Sequence, residues 1–282
     1  MKKLMIISLA IFFAVNIFAQ KSEVGIGLGI ATYDGDLSTK NIKSYLSQSH
    51  PAIQVFYSYY FNQFLNTKLS LGAARLSGTD SKSELQWQKE RNLSFQTNIM
   101  EFNARVEYNI FGRKYRLSPF IFGGVNAFSF NPKTKYKGEW VYLQPLGTEG
   151  QGSPFHPEMA NYKLYDISMV FGLGAKFRVN NSVTISLELG WRRTNTDYID
   201  DVGGKYVNYF ELSRTNGELA AKLSDRTSEY FGNNTIIERE TGEIRGGAKR
   251  KDYYAISFVN FVYTLNSGNP IKHRKAIYCP RF

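Results

Sequence analysis

Alternation with a period of two runs through most of the chain. Between positions 100 and 110, Met100, Phe102, Ala104, Val106, Tyr108 and Ile110 share one side, and Glu101, Asn103, Arg105, Glu107 and Asn109 share the other. Successive side chains of an extended strand point to opposite faces, so this is a strand with one apolar face and one charged face. The pattern recurs over 24–31, 53–61, 65–74, 166–178 and 183–192. Two further segments, 117–128 and 253–265, are apolar on both sides, and their orientation stays open. The strands are long enough to cross a bilayer when tilted.

The connections order these strands. Short turns at 61–65, 111–117 and 179–183 alternate without exception with long connections at 34–50, 77–95, 131–162 and 195–252. A transmembrane barrel has this arrangement, with short periplasmic turns and long extracellular loops. A soluble β-sandwich would turn the charged face to solvent and has no reason to gather its long connections at one end. The expected fold is therefore all-β: an eight-stranded antiparallel transmembrane barrel over 20–265. Closure leaves no backbone donor or acceptor facing hydrocarbon. In the last loop, 212–223 reads as a short helix weakened by Gly217, and 195–252 has room for a further hairpin.

The charged face would then line the interior. Glu101, Arg105, Glu107, Lys176, Arg178, Glu188 and Arg192 carry both signs. A buried charge without a partner costs several kcal/mol, so these are expected to pair and fill the lumen.

The start of the chain places it outside the inner membrane. Lys2 and Lys3 precede an apolar run to Phe18 and then Ala19, which reads as a signal peptide over 1–19. No cysteine stands at that cleavage point, so a lipoprotein is not expected. The 19 Tyr and 21 Phe suit a membrane–water boundary. Localisation in the outer membrane follows, in contact with its lipid. The formal net charge is +11. For an exported protein that favours anionic lipid or acidic protein surfaces as partners, not nucleic acid. An even strand number puts both termini in the periplasm. The tail 266–282 would then present Lys272, His273, Arg274, Lys275, Cys279 and Arg281 there. Cys279 is the lone cysteine, so any disulfide through it is intermolecular.

Candidate chemistry is sparse. His50 and His156 fall in loops and His273 in the tail, none beside the inward serine that a barrel hydrolase would need. No catalytic residue is expected. Asp197, Asp200, Asp201 and Glu238, Glu240, Glu243 supply oxygen ligands in the last loop. They lack the alternating spacing and glycine of a calcium loop, so solvated loops without metal are expected. Gly25, Gly27 and Gly29 lie within a strand with no helix after them, which excludes a phosphate-binding turn. No cofactor is expected. The loop 131–157 mixes Tyr136, Trp140, Val141, Tyr142, Leu143, Leu146 and Phe155 with prolines and glycines. It either packs over the barrel mouth or offers Trp140 and Tyr142 to a partner.

Three tracts of this loop region carry a family resemblance: Phe130-Asn131-Pro132, Gly138-Glu139-Trp140-Val141, and LQPLGTEGQG over 143–152. They resemble the PorG-like outer-membrane proteins of the type IX secretion system. Tyr33-Asp34-Gly35-Asp36-Leu37, the tract TDYIDDV over 196–202 and the terminal Cys279-Pro280-Arg281-Phe282 are similar to that family too. The resemblance implies a non-enzymatic barrel that couples a periplasmic ring, containing a lipoprotein, to the outer membrane. The machine concerned also supports gliding motility in some bacteria. Under this expectation Arg274, Lys275 and Cys279 are candidates for docking periplasmic components. Two alternatives stay open: a barrel enzyme acting on lipid or lipopolysaccharide, and a small passive pore.

Overall fold

The structure, a computed structural model, describes residues 22–38, 47–157, 159–232, 236–247 and 251–265. The signal over 1–19 and the tail over 266–282, with Arg274, Lys275 and Cys279, lie outside the described residues.

Ten strands follow in chain order: β1 (Ser22–Asp34), β2 (His50–Tyr60), β3 (Leu65–Thr79), β4 (Ser94–Asn109), β5 (Leu117–Ser129), β6 (Lys133–Tyr136), β7 (Glu139–Tyr142), β8 (Tyr165–Arg178), β9 (Val183–Thr194) and β10 (Tyr253–Thr264). Eight of them form a closed antiparallel barrel in the order β1-β2-β3-β4-β5-β8-β9-β10. β10 returns to β1 with Glu23 opposite Thr264 and Asp34 opposite Tyr253. β6 and β7 make a hairpin in the third outer loop, joined to β4 where Lys133 pairs with Gln96. Two of the tight turns share one device. The Asn62 Oδ1 accepts from the Phe64 and Leu65 amides, and the Asn180 Oδ1 accepts from those of Ser182 and Val183. Such side-chain mimicry of a backbone turn is why asparagine recurs there.

The outer wall defines where lipid ends. On β4 Met100, Phe102, Val106 and Tyr108 are exposed, Met100 to 68%. On β3 Leu69 and Leu71 are exposed, Leu71 to 60%. A continuous apolar wall of this kind is stable only in hydrocarbon. Two residue pairs beyond Ala73 and Met100, at the next outward-facing position, the wall turns polar. Arg75 lies opposite Asn98 and its Nε donates to the Asn98 Oδ1 at 3.2 Å. β3 and β4 continue past that level, so the barrel projects beyond the bilayer on its outer side.

β5 and β10, apolar on both sides in sequence, point Phe120, Phe122, Phe128, Tyr254, Ile256 and Phe258 inward. Ile121, Val125, Val259 and Phe261 face out. The inward rings have two uses. Phe120 and Phe122 lie beneath cations, with the Lys176 Nζ 4.7 Å and the Arg105 Cζ 3.9 Å from the ring centres. Phe128, Tyr254, Ile256 and Phe258 join an apolar core at the outer end. Glycines on β8 make room for the first pair: a Cβ built on Gly174 would stand 2.3 Å from the Leu187 carbonyl oxygen and 2.5 Å from the Phe120 Cζ. Gly174→Val is expected to cost about 1–3 kcal/mol by overpacking. The urea midpoint for unfolding from lipid vesicles measures this, and an unchanged midpoint would show that both Phe120 and the β9 backbone at Leu187 give way.

The last loop holds helices rather than a further hairpin. They are α2 (Tyr209–Thr215), α3 (Glu218–Ser224) and α4 (Thr227–Tyr230), after α1 (Gln86–Arg91) in the second loop. The single helix expected over 212–223 is split at Gly217, whose φ of +98° no helix accommodates.

Candidate functional site

The interior has two tiers. In the lower tier, near the short turns, Arg105 bridges two carboxylates. Its Nη2 donates to the Glu107 Oε1 at 2.9 Å and to the Glu188 Oε2 at 2.5 Å. Lys176 donates to the Glu107 Oε2 at 2.6 Å, and Lys68 to the Glu188 Oε2 at 3.0 Å. Gln54 donates to the Glu188 Oε1 at 2.9 Å, and Asn66 joins Lys176 in donating to the Glu107 Oε2, at 3.0 Å. Higher up, Arg192 donates to the Glu101 Oε1 at 2.8 Å and Tyr254 to the Oε2 at 2.9 Å. Arg178, the remaining expected lumen residue, lies apart at the periplasmic mouth with Glu23, Arg113 and Lys176. Sequence reasoning left out Lys68, although its inward phase with Asn66 and Ser70 was visible. Glu23, Gln54, Arg113 and Tyr254 were also left out. Arg113 comes from a turn, where alternation carries no signal.

The upper tier is apolar. Tyr33, Leu37, Leu76, Phe95, Ile99 and Ile199 are buried there with Phe128 and Phe130, sealing the outer end with residues from strands and loops alike. The third loop contributes Leu143 to this core, with Tyr136, Val141 and Leu146 packed against it. Trp140 and Tyr142 stay exposed, with the Lys133 Nζ 4.9 Å from the Trp140 ring. Phe155 is exposed as well, so the loop both packs on the mouth and leaves three rings outside. With an ion-paired lower tier and an apolar upper tier, planar bilayers containing the protein are expected to show no conductance steps. Regular steps would mean that the plug opens.

Above the core, charge is buried again. The Arg91 guanidinium grips the Asp80 carboxylate through two bonds of 2.7 and 2.8 Å and donates to the Arg245 carbonyl at 2.6 Å. Arg245 donates to the Glu149 Oε1 at 2.9 Å, the Ser224 carbonyl at 3.0 Å and the Asp201 carbonyl at 2.7 Å. The Asp201 carboxylate accepts from the Thr148 and Tyr162 hydroxyls, both at 2.6 Å. The Asp252 carboxylate accepts from the Tyr33 hydroxyl at 2.6 Å and the Ile199 amide at 2.9 Å.

These positions correct an expectation. Asp197, Asp200 and Asp201 are buried, not solvated, while Glu238, Glu240 and Glu243 stay at the surface. Burial, reinforced by Asp252 and Asp36, raises Asp200 well above the usual carboxylate range, and burial raises Asp252 likewise. Burial pushes Asp201 up to about 6 against the pull of Arg245 and its hydroxyl donors. Among the described residues no three acidic, histidine or cysteine side chains are grouped to hold a metal ion.

A folded-state carboxyl raised in this way stabilises the cap only while protonated. Its contribution is fully present below pH 4 and is lost as pH rises through 6. Moving from pH 7 to pH 5 is therefore expected to tighten the cap by about 1 kcal/mol through Asp201. Hydrogen exchange of amides in 196–206, corrected for intrinsic rate, reports it. Weaker protection at pH 5 would reverse the assignment.

The histidines need a second correction. His50 heads β2 instead of lying in the loop, and its Nε2 is 2.7 Å from the Ser77 Oγ on β3, a rim pair that the strand pattern did not reveal. Among the described residues no carboxylate bonds to the His50 Nδ1. His156 lies 2.7 Å from the Glu211 Oε1. His273 falls outside the described residues.

Residues 2–220 match the profile of a family described as Domain of unknown function (DUF6089). No curated protein matches the sequence. Among solved structures, Ail, the attachment invasion locus protein of Yersinia pestis, is similar at 11% identity. That match covers 88% of this chain and 99% of Ail, with a TM-score of 0.40. Neisserial surface protein A is similar at 6% identity over 87% of this chain and 98% of its own, with a TM-score of 0.42. OprG from Pseudomonas aeruginosa is similar at 11% identity over 87% and 96%, with a TM-score of 0.41.

Proposed function

The chain belongs to the DUF6089 family, and we propose that it is a non-enzymatic outer-membrane anchor for periplasmic components of the type IX secretion machinery, and of gliding motility where that machinery drives it. The observation that carries this reading is the meeting of the resembling tracts in one cap. Tyr33 reaches Asp252, and Asp36 accepts from the Gly247 amide. Thr148 of the tract over 143–152 holds Asp201 of the tract over 196–202. Glu149 accepts from the Gly203 and Gly204 amides at 3.0 and 3.2 Å. The resembling tracts that fall within the described residues thus share one core through Tyr33, Leu37, Phe130, Leu143, Ile199 and Val202, while the terminal tract 279–282 lies outside them. A sealed interior also leaves outward surfaces, not a lumen, to do the work.

Affinity purification of the tagged full chain from outer membranes tests this. Co-purification of a periplasmic ring lipoprotein is the expected result, and its absence under conditions that keep other outer-membrane assemblies intact would overturn the reading. A covalent contact through Cys279 would appear as a shifted band on non-reducing gels that Cys279→Ser removes.

The His50–Ser77 pair favours a second reading, a hydrolase acting on lipid or lipopolysaccharide at the outer rim. Labelling by a fluorophosphonate probe that Ser77→Ala abolishes would support it, and an unlabelled wild-type protein would end it.

A further inference from the structure

The charges of the lower lumen and its periplasmic mouth do not balance. Among the described residues five cations gather there, Lys68, Arg105, Arg113, Lys176 and Arg178, against three carboxylates, Glu23, Glu107 and Glu188. All four oxygens of Glu107 and Glu188 already accept hydrogen bonds from Arg105, Lys68, Lys176, Gln54 and Asn66. Glu23 is taken by the Arg113 Nη2 at 2.7 Å and by the Thr264 hydroxyl at 3.4 Å. Two groups are left over. The Arg113 Nη1 is buried without a hydrogen-bond partner. Arg178 forms no ion pair among the described residues.

Both guanidinium groups line one small cleft, shared with Glu23, Tyr60, Asn109, Ser118, Lys176 and Thr184. The turn that brings Arg113 over the mouth passes through Gly112, whose φ of +68° suits glycine. The Arg113 guanidinium is fixed against the Tyr60 ring at 4.2 Å, so the unfilled donor is held in place. Burying like charges together is costly unless an anion answers them. Guanidinium forks match the oxygens of a phosphate, and nearby hydroxyls can donate to it as well. The cleft opens at the level of the short turns, beside the exposed Tyr115 and Leu117, where the inner-leaflet headgroups begin.

We propose that this cleft binds one small oxyanion, a phosphate group, held by Arg113 and Arg178 with Lys176 behind them. The phosphate comes from an inner-leaflet phospholipid headgroup or from free phosphate in the periplasm. In either case the anion neutralises the mouth of the plug and fixes the turn between β4 and β5.

The test uses the refolded full chain in a zwitterionic detergent. Line broadening in the phosphorus NMR spectrum of inorganic phosphate, against sodium chloride of equal ionic strength, reads the free anion. Retention of phosphatidylglycerol in native mass spectrometry, after refolding into vesicles of that lipid, reads the headgroup. At least one is expected for the wild type, weakened about tenfold in Arg178→Gln. It should be unchanged in Arg116→Gln, which lies on the same turn outside the cleft. Phosphate alone assigns the free ion, and phosphatidylglycerol alone assigns the lipid. Binding of neither by the wild type overturns the proposal, as does equal binding by Arg178→Gln. The mobility difference between unheated and boiled samples on gels confirms that each variant is a folded barrel.

Discussion

Glu188→Gln is expected to lower the stability of the barrel by about 3–5 kcal/mol, among the largest effects of any single substitution in the lumen. Glu188 answers two cations at once, Lys68 at 3.0 Å and Arg105 at 2.5 Å, and all three side chains are almost wholly buried. Removing its charge leaves both cations to share Glu107, which Lys176 already occupies at 2.6 Å. Lipid closes the walls and the apolar tier closes the outer end, so water reaches the orphaned charges only from the periplasmic side. The substitution keeps the size of the side chain, so packing contributes little to the loss. Urea unfolding from lipid vesicles, followed by tryptophan fluorescence, gives the number. The double variant Lys68→Met with Glu188→Gln should recover part of it, because one uncompensated cation has gone. A loss below about 1 kcal/mol would mean that water fills the lumen and screens the pair.

What was legible in the sequence follows from the same inversion of polarity. A barrel with lipid outside and charge inside keeps strict alternation, so the orientation of β4 could be read from Met100 and Glu101 alone. The reading failed where the inner face is itself apolar. Phe120 and Phe122 serve as platforms for cations, and Ile256 and Phe258 belong to the upper core, so β5 and β10 showed no phase. It also stopped short at the membrane boundary. β3 runs on to Thr79 and β4 begins at Ser94, but Arg75 and Asn98 make the outer wall polar, and polar runs read as loop. The buried cap was hidden for a different reason. Asp201 and Glu149 look like solvated loop acids because the cation that justifies their burial, Arg245, is 96 residues beyond Glu149 in the chain. Local pattern carries no information about a partner so distant. The lower-lumen ions were easier, because their inward phase is itself the reason to expect pairing.

Arg245→Gln is expected to open the cap while sparing the barrel. Its guanidinium ties the third loop, through Glu149 at 2.9 Å, to two separate points of the fourth, the Ser224 and Asp201 carbonyls. Its own carbonyl receives Arg91 from the second loop at 2.6 Å, and Arg91 carries Asp80 with it. The residue therefore joins three of the four outer loops. Removing the charge strands Glu149, which is fully buried, and deprives Asp201 of its nearest cation at 3.9 Å. A loss of about 3–5 kcal/mol is the usual cost of breaking a buried pair from one side. It should fall on the cap alone, because the lower tier shares no ion pair with it. Limited proteolysis of intact cells or vesicles should then cut within 143–157 or 196–232, while the heat-shifted gel mobility of the barrel persists. The defect should also depend on pH in a defined direction. Asp201 titrates near 6 with Arg245 present, and losing that cation raises it further. At pH 5 the stranded carboxyl is neutral and its unpaired charge no longer opposes burial, so protection of the cap should return in part between pH 7 and pH 5. A variant cut equally fast at both values would place the weakness in the lost carbonyl bonds rather than in the uncompensated charge.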